Sequence, residues 1–257
     1  MASNYREFDF EGHIEENLIS SGYHKCNPSD YDKELCLITS ELIHFIKATQ
    51  QATFRQLEKQ YGDQTSQKLV DRISKEISKR GTLDVLRKGV IDRGAKFKLA
   101  YFKPASGMNP EHLEFYRNNR FSIVRQLKYS KRNENSVDIV LFLNGLPIIT
   151  AELKNSLTGQ FVEEAKKQYQ RDRLPQGEPF LAFKRCLVHF AVGNEEAFMT
   201  THLQGDKTRF FPFNKDTINP ENPNGHKTAY LWEDIWQPDL LLELIHNYLH
   251  FKTIPEK

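Results

Sequence analysis

Cysteine is scarce in this chain. Of 257 residues only Cys26, Cys36 and Cys186 are cysteines. None forms a Cys-x-x-Cys pair or has a histidine at zinc-finger distance, so nothing in the spacing suggests structural zinc. The odd count argues against a disulfide framework and suits a reducing cytoplasm. The nine histidines are scattered, with no HExxH and no HxH. No segment approaches 18 apolar residues, and the N-terminus lacks an apolar signal core. A soluble, unexported protein that makes no use of a membrane is the expectation. A phosphate-cradling G-x-x-x-x-G-K-[S/T] loop is missing too. Gly225-His226-Lys227-Thr228 matches only its end, without the upstream glycine, and reads as loop. There is no large excess of either charge: the formal net charge is +2. Any nucleic-acid surface must come from local clustering of cations.

What is present is a globular composition, 39% hydrophobic, 27% charged and 12% aromatic. The length allows one sizeable core. Helical spacing of apolar residues predicts helices over 11–22, 32–50, 53–61 and 64–80, the last stopped by Gly81. A short strand pair is predicted at 90–91 and 96–102, a loop over 104–109 and a short helix over 110–117. From Phe121 the pattern turns to strands: 121–130 alternates, while 138–143 and 146–153 are nearly continuous apolar runs. A polar helix over 160–173, strands over 186–192 and 197–203, a long loop over 207–227, a helix over 239–251 and a linker from 252 complete the reading. The class is α/β: a mixed sheet flanked by helices, with a mainly helical N-terminal lobe over 1–110 and the core sheet over 111–257, together one domain.

The chemistry lies in SVDIVLFLNGLPIITAELKN. Asn144-Gly145 is a tight-hairpin signal joining two apolar strands. Acids interrupt them in two places: Asp138 opens the first and Glu152 nears the end of the second. With the turn centred between 144 and 145, position 138 pairs roughly with 151, so the two acids sit at the same end of the sheet. Glu152 and Lys154 are two apart and share a face. Buried carboxylates repel unless a cation stands between them. Mg²⁺, or Mn²⁺, is the fitting cation, since it prefers oxygen ligands and retains waters. Such an ion acidifies a bound water and stabilises charge on a phosphate, and Lys154 would orient that water or hold the phosphate. The bland alternative is acids at strand ends with a lysine nearby, which occurs in many proteins.

The same stretch resembles the nuclease core of the R (restriction) subunit of type I restriction-modification enzymes. The shared residues are Asp138 opening a strand, Asn144-Gly145-Leu146-Pro147 at the turn, and Glu152-Leu153-Lys154-Asn155. NNRFSIVRQLKYS from Asn118, QYQRDR from Gln168, FKRCLVHFAV from Phe183 and NPNGHKTAYLWEDI from Asn222 extend the resemblance over nearly the whole chain. It implies a PD-(D/E)xK restriction-endonuclease-like fold and magnesium-dependent hydrolysis of double-stranded DNA. It also implies methyltransferase and specificity subunits as partners, with ATP used only by a motor that follows this region. This chain stops before such a motor, so a fragment of a longer subunit is expected. One departure is Val137 before the acid, where the family has proline. Another concerns the family's Q-x-x-x-Y element: Gln168 stands in the right region as a catalytic candidate, but Asp172 occupies the tyrosine position and Tyr169 is adjacent.

Further candidates surround this core. Glu15 falls on the apolar face of the first helix with Ile14, Leu18 and Ile19, and is a possible third metal ligand. Lys166, Lys167, Arg171, Arg173, Lys184, Arg185, Arg120, Arg125 and Lys128 flank the acidic motif. Each alone is an ordinary solvated charge; as a set they could track a DNA backbone. Two other readings are a standalone repair or recombination nuclease and a non-catalytic module docking DNA or a methyltransferase.

Overall fold

The structure, a computed structural model, describes residues 2–104, 110–155, 161–223 and 225–251, with side chains of the first helix from Phe10 onward. Among these residues the chain is a mixed α/β fold built on a seven-stranded sheet. Five helices come first: α1 (Ala2–Ser20), α2 (Thr39–Thr49), α3 (Gln51–Tyr61), α4 (Thr65–Arg80) and α5 (Thr82–Lys88). A two-residue strand, β1 (His24–Lys25), interrupts them after α1. The hairpin of β2 (Val90–Asp92) and β3 (Ala95–Phe97) and the helix α6 (Pro110–Arg117) lead into the main strands. These are β4 (Phe121–Lys128), β5 (Ser136–Leu143), β6 (Leu146–Leu153), β7 (Val188–Val192), β8 (Ala197–Thr200) and β9 (Phe211–Pro212). Between β6 and β7 runs α7 (Val162–Lys167), continued by a wider π turn over Gln168–Asp172. A π turn over Leu231–Ile235, then α8 (Pro238–Glu243) and another π turn over Leu244–Tyr248, close the described chain.

The sheet order is β1-β4-β5-β6-β7-β8-β9. β1 lies parallel to β4 and β6 parallel to β7; the other neighbours are antiparallel. β5 and β6 read as continuous apolar runs because the sheet is covered on both sides there. Ile139, Leu141 and Leu143 face one cluster, with Phe10, Ile14 and Leu18 of α1, Leu42 and Phe45 of α2, and Trp232 and Trp236. Val140 and Phe142 face another, with Val124, Tyr169 and Phe180. The N-terminal helices and the sheet therefore share a core.

The turn between β5 and β6 fixes everything that follows. Asn144 and Gly145 both have positive φ, 50° and 79°, the backbone a two-residue hairpin turn requires. A Cβ at position 145 would lie 2.3 Å from the Ile38 carbonyl oxygen. The Ile38 amide donates to the Gly145 carbonyl at 2.9 Å, tying α2 to the turn. Asn144 is buried and satisfied: its Oδ1 accepts from the Arg120 amide at 2.7 Å, and its Nδ2 donates to the Leu99 carbonyl at 2.9 Å.

The structure departs from several expected boundaries. The helix expected over 32–50 begins only at Thr39. Before it, Asp32 Oδ1 accepts from the Glu34 and Leu35 amides, and Asp32 bridges Leu37, so a side chain competes with the helical ladder. α1 is longer than expected, and α5 and β1 were not anticipated. The first residue of the helix expected at 160, the loop beyond 104 and the linker from 252 fall outside the described residues.

Candidate active site

The register of β5 and β6 runs Leu143↔Leu146 and Phe142↔Pro147, then shifts so that Leu141 faces Ile149 and Ile139 faces Ala151. The extra residue in β6 is a bulge. Continued past Ile139, the shifted register sets Asp138 opposite Glu152 itself, one position on from the unbulged estimate. By alternation Asp138 and Glu152 share a face with Val140 and Thr150. That face lies under α7 and its π turn, close to Tyr169 and Arg173.

Asp138 is half-buried and held on both oxygens. Its Oδ2 accepts from the Leu153 amide at 2.7 Å, and its Oδ1 from Gln126 Nε2 at 3.0 Å. Gln126, with φ 50°, breaks the regular course of β4. Its Nε2 also donates to Glu11 Oε1 at 2.6 Å, so one amide joins two carboxylates. Burial, then the Asp138 charge, raise the Glu11 carboxyl above its ordinary range. Arg125 moderates this: its Nε donates to Glu11 Oε2 at 3.0 Å, and its Nη1 lies 3.5 Å from Glu15 Oε2. Glu15 accepts in addition from Lys25 Nζ at 2.8 Å. The acid of α1 linked to Asp138 is thus Glu11, while Glu15 is joined to two cations. Glu11, Glu15 and Leu18 follow i, i+4, i+7 spacing, so the signal for Glu11 was present in the helical face.

Glu152 is fully buried. Its Oε1 accepts from Arg173 Nε at 2.7 Å, while its Oε2 has no hydrogen-bond partner. Burial, reinforced by the Asp138 charge, pushes its carboxyl well above the usual range, and Arg173 and Lys154 oppose that. For Arg173, burial alone would weaken the guanidinium's hold on its proton, but Glu152 reverses the direction. Arg173 therefore serves as an internal counter-ion and is not on the solvent face expected of a DNA contact. Lys154 is buried as well, and its amide donates to the Val192 carbonyl at 2.8 Å. It lines a cavity of about 120 Å³ with Phe161, Val162 and Asn194.

Gln168 is half-buried at the start of the π turn, where its carbonyl accepts from the Arg173 amide at 2.9 Å, and its Oε1 has no hydrogen-bond partner. Tyr169 hydroxyl shares a hydrogen bond of 2.8 Å with Thr150 Oγ1, which lies 2.7 Å from His189 Nδ1. Burial lowers the His189 imidazole to about 3, so this chain behind Glu152 is neutral. Asp172 closes the π turn, where its carbonyl accepts from Asn135 Nδ2 at 3.0 Å.

The remaining nominated cations divide into two sets. Arg120 makes a two-pronged pair with Glu41, at 2.7 and 3.1 Å. Arg185 is buried, with Nη2 on Ser78 Oγ at 2.9 Å and Nη1 on the Leu35 carbonyl at 3.4 Å. Both tie helices to the sheet. Lys128, Lys167 and Arg171 are exposed; Lys128 pairs with Glu134 and Lys167 with Glu164. Lys166 lies over the Phe198 ring and pairs with Glu163, and Lys184 lies near the Phe183 and Phe251 rings.

Among the described residues no group of three His, Cys, Asp or Glu side chains forms a closed metal cage. The donor set is instead two facing carboxylates, one with an unpartnered buried oxygen. A sparse oxygen set of this kind fits a cation that keeps most of its waters, as Mg²⁺ does.

The fold and this cluster define a mixed α/β domain that gathers acids and a lysine at one end of a central hairpin. The sequence model of the type I restriction enzyme R protein N terminus matches residues 4–208, and the chain belongs to that family. It is similar to the putative type I restriction enzyme MjaVIIIP endonuclease subunit of Methanocaldococcus jannaschii, with 26% identity over 203 residues, 75% of this chain and 18% of that protein. The chain thus spans about a fifth of that relative's length.

Proposed function

We propose that this region is a DNA endonuclease domain of a PD-(D/E)xK kind, acting within a type I restriction enzyme R subunit. The observation that carries the reading is the facing pair Asp138 and Glu152 with Lys154 one alternation further along β6. Asp138 and Glu152 would hold a magnesium or manganese ion, which when bound supplies a Lewis acid and an acidified water for phosphodiester hydrolysis. The unpartnered Glu152 Oε2 is the oxygen free to serve it, because Arg173 occupies Oε1. The Leu153 amide and Gln126 hold the Asp138 carboxylate in one orientation, and Arg173 does the same for Glu152, so little reorganisation is needed at the reacting centre. Lys154 contributes a compact charge that holds a phosphate oxygen or orients the attacking water. Hydrolysis adds that water to phosphorus and breaks one P–O bond of the backbone.

The substrate is double-stranded DNA, and the partners are the methyltransferase and specificity subunits. ATP is used by motor segments of the parent subunit and not by this site. Of the three free cysteines Cys36 and Cys186 are buried, which suits a reducing cytoplasm. Among the described residues no helix is long and apolar enough to cross a membrane.

Lys154→Arg is the sharpest test. It preserves charge but replaces a point charge with a broad fork in a buried position. A misplacement of about 1 Å can cost roughly a hundredfold in rate. Plasmid cleavage in Mg²⁺ should fall by that order while DNA affinity at one fixed salt concentration stays unchanged. Cleavage equal to wild type would remove Lys154 from the mechanism.

A further inference from the structure

At the turn end of the β5–β6 hairpin, away from the acids, the end of α5, the hairpin strand β3 with the segment that follows it to Pro104, and α6 line a cavity of about 540 Å³. Arg87, Lys88, Lys96 and Lys98 line it, together with Tyr101 and His112. Asn144 of the turn donates to the Leu99 carbonyl, next to Lys98. From there to Asp138 and Glu152 is about seven residues of strand, roughly 23 Å at 3.3 Å per residue.

Three of the four cations here have no ion-pair partner among the described residues, unlike Arg120, Arg125 and Arg173. Arg120, Arg125, Arg173 and Arg185 are all engaged with acids or carbonyls inside the fold. In this cleft Lys88 shares Asp84 with Arg80, but Arg87, Lys96 and Lys98 form no ion pair with any described residue. Arg87 Nε donates to the Ile245 carbonyl at 2.7 Å, which fixes the guanidinium, and its Nη2 is buried with no acceptor. Burial with no carboxylate to offset it lowers the guanidinium's proton affinity. An unsatisfied, anchored cation is a cost to the fold unless an anion uses it. Lys96 and Lys98 alternate with buried Ala95, Phe97 and Leu99, so both point outward on one face, roughly 6.6 Å apart along the strand. Lys98 Nζ lies 5.0 Å from the Tyr101 ring centre, which presents an aromatic surface beside the charges.

We propose that this cleft is a phosphate-binding site that grips the backbone of the DNA strand served by the acid pair. The ligand chemistry is the phosphodiester. Two outward lysines set along a strand suit a polyanion better than a single ion, and an aromatic ring beside cations is the make-up of a surface that tracks a nucleic-acid strand. The inference rests on the nuclease reading for its choice of DNA, but it concerns residues outside that site.

The experiment is binding of a fluorescent 20-base-pair duplex to the 257-residue chain in EDTA, so that cleavage plays no part. Lys96→Gln with Lys98→Gln should weaken binding roughly tenfold at 100 mM salt and reduce the salt-dependence slope by about two, one for each lost phosphate contact. Both lysines are exposed, so folding is not at risk. Unchanged affinity and slope in this double variant would overturn the proposal. Inorganic phosphate, followed by thermal shift, is the second arm. A stabilisation that is lost in Arg87→Gln while duplex binding ignores Lys96 and Lys98 overturns the assignment to DNA. Plasmid cleavage separates this from the nuclease reading. A wild-type chain that binds through the lysines but does not cut leaves the cleft standing. A double variant that binds and cuts like wild type removes the cleft alone.

Discussion

Arg173→Met isolates the buried pair at the centre of the site. The substitution keeps an unbranched apolar stem and removes the charge that faces Glu152 at 2.7 Å, with side-chain exposures of 9% and 0%. Losing one partner of a buried pair costs about 3–5 kcal/mol, because the other is left charged or must take a proton. The second route sets a ceiling. Protonating a carboxyl of ordinary pKa near 4.3 costs about 1.4 kcal/mol per pH unit, so about 3.7 kcal/mol at pH 7 and about 1 kcal/mol at pH 5. Glu152 already has a raised pKa in the folded state, from burial and then Asp138, and the variant raises it further. A folded state that binds the proton more tightly than the unfolded state loses stability as pH rises, starting at the unfolded pKa and ending above the folded one. The penalty of Arg173→Met should therefore be small at pH 5 and large at pH 7. For a chain of this size 1 kcal/mol moves the melting temperature by about 2–4 °C. Melting followed by circular dichroism in EDTA should show a larger loss at pH 7 than at pH 5, with ceilings of about 7–15 °C and about 2–4 °C. Equal losses at the two pH values would mean that packing, and not the unpaired carboxyl, is responsible. No loss at either would refute the pair.

Two further perturbations test the frame around it. Asp138→Asn should abolish the heat of Mn²⁺ binding in calorimetry, because the carboxylate charge is removed and one of its two accepting oxygens becomes a donor facing the Leu153 amide or Gln126; retained Mn²⁺ heat would detach Asp138 from the metal. Gly145→Ala should destabilise by about 2–5 kcal/mol, from a positive φ of 79° and a Cβ 2.3 Å from the Ile38 carbonyl oxygen. Gly22→Ala, at φ 100° with nothing within 4 Å of the added Cβ, should lose only the conformational part, about 1–2 kcal/mol; equal urea midpoints for the two variants would refute the close contact.

The hairpin was legible because its signals are local. Asn-Gly at the turn and two apolar runs settle which strands pair and at which end the acids lie, since a two-residue turn leaves one register. What it could not convey is the shift between Leu141 and Phe142. A bulge inside an all-apolar run changes no residue class, so no pattern marks it, yet it brings Glu152 directly across from Asp138. The helical edges failed for a different reason. Leu35, Ile38, Leu42, Phe45 and Ile46 are helix-spaced, but Asp32 caps its own turn, and the first helical residue waits until Thr39.

Charge was the least legible layer. Sequence proximity put Arg120, Arg125, Arg173 and Arg185 among the cations flanking the acids, and a cation near an acidic motif reads most simply as a phosphate contact. Whether such a side chain faces water depends on its partner across the fold: Glu41, Glu11, Glu152, and the Leu35 carbonyl with Ser78, respectively. None of those partners is local; Glu41 and Arg120 are 79 residues apart, and Glu11 and Arg125 114. The same non-locality hid Gln126, which joins Glu11 to Asp138 only because β4 places it opposite the first acid. It also hid the cleft at Arg87 and Lys98, assembled from the end of α5, the stretch from Lys96 to Pro104 and His112 of α6. Spacing along one element identifies candidates for chemistry. The partners that hold them charged, oriented or buried come from elsewhere in the chain, and only the packed fold brings them into contact.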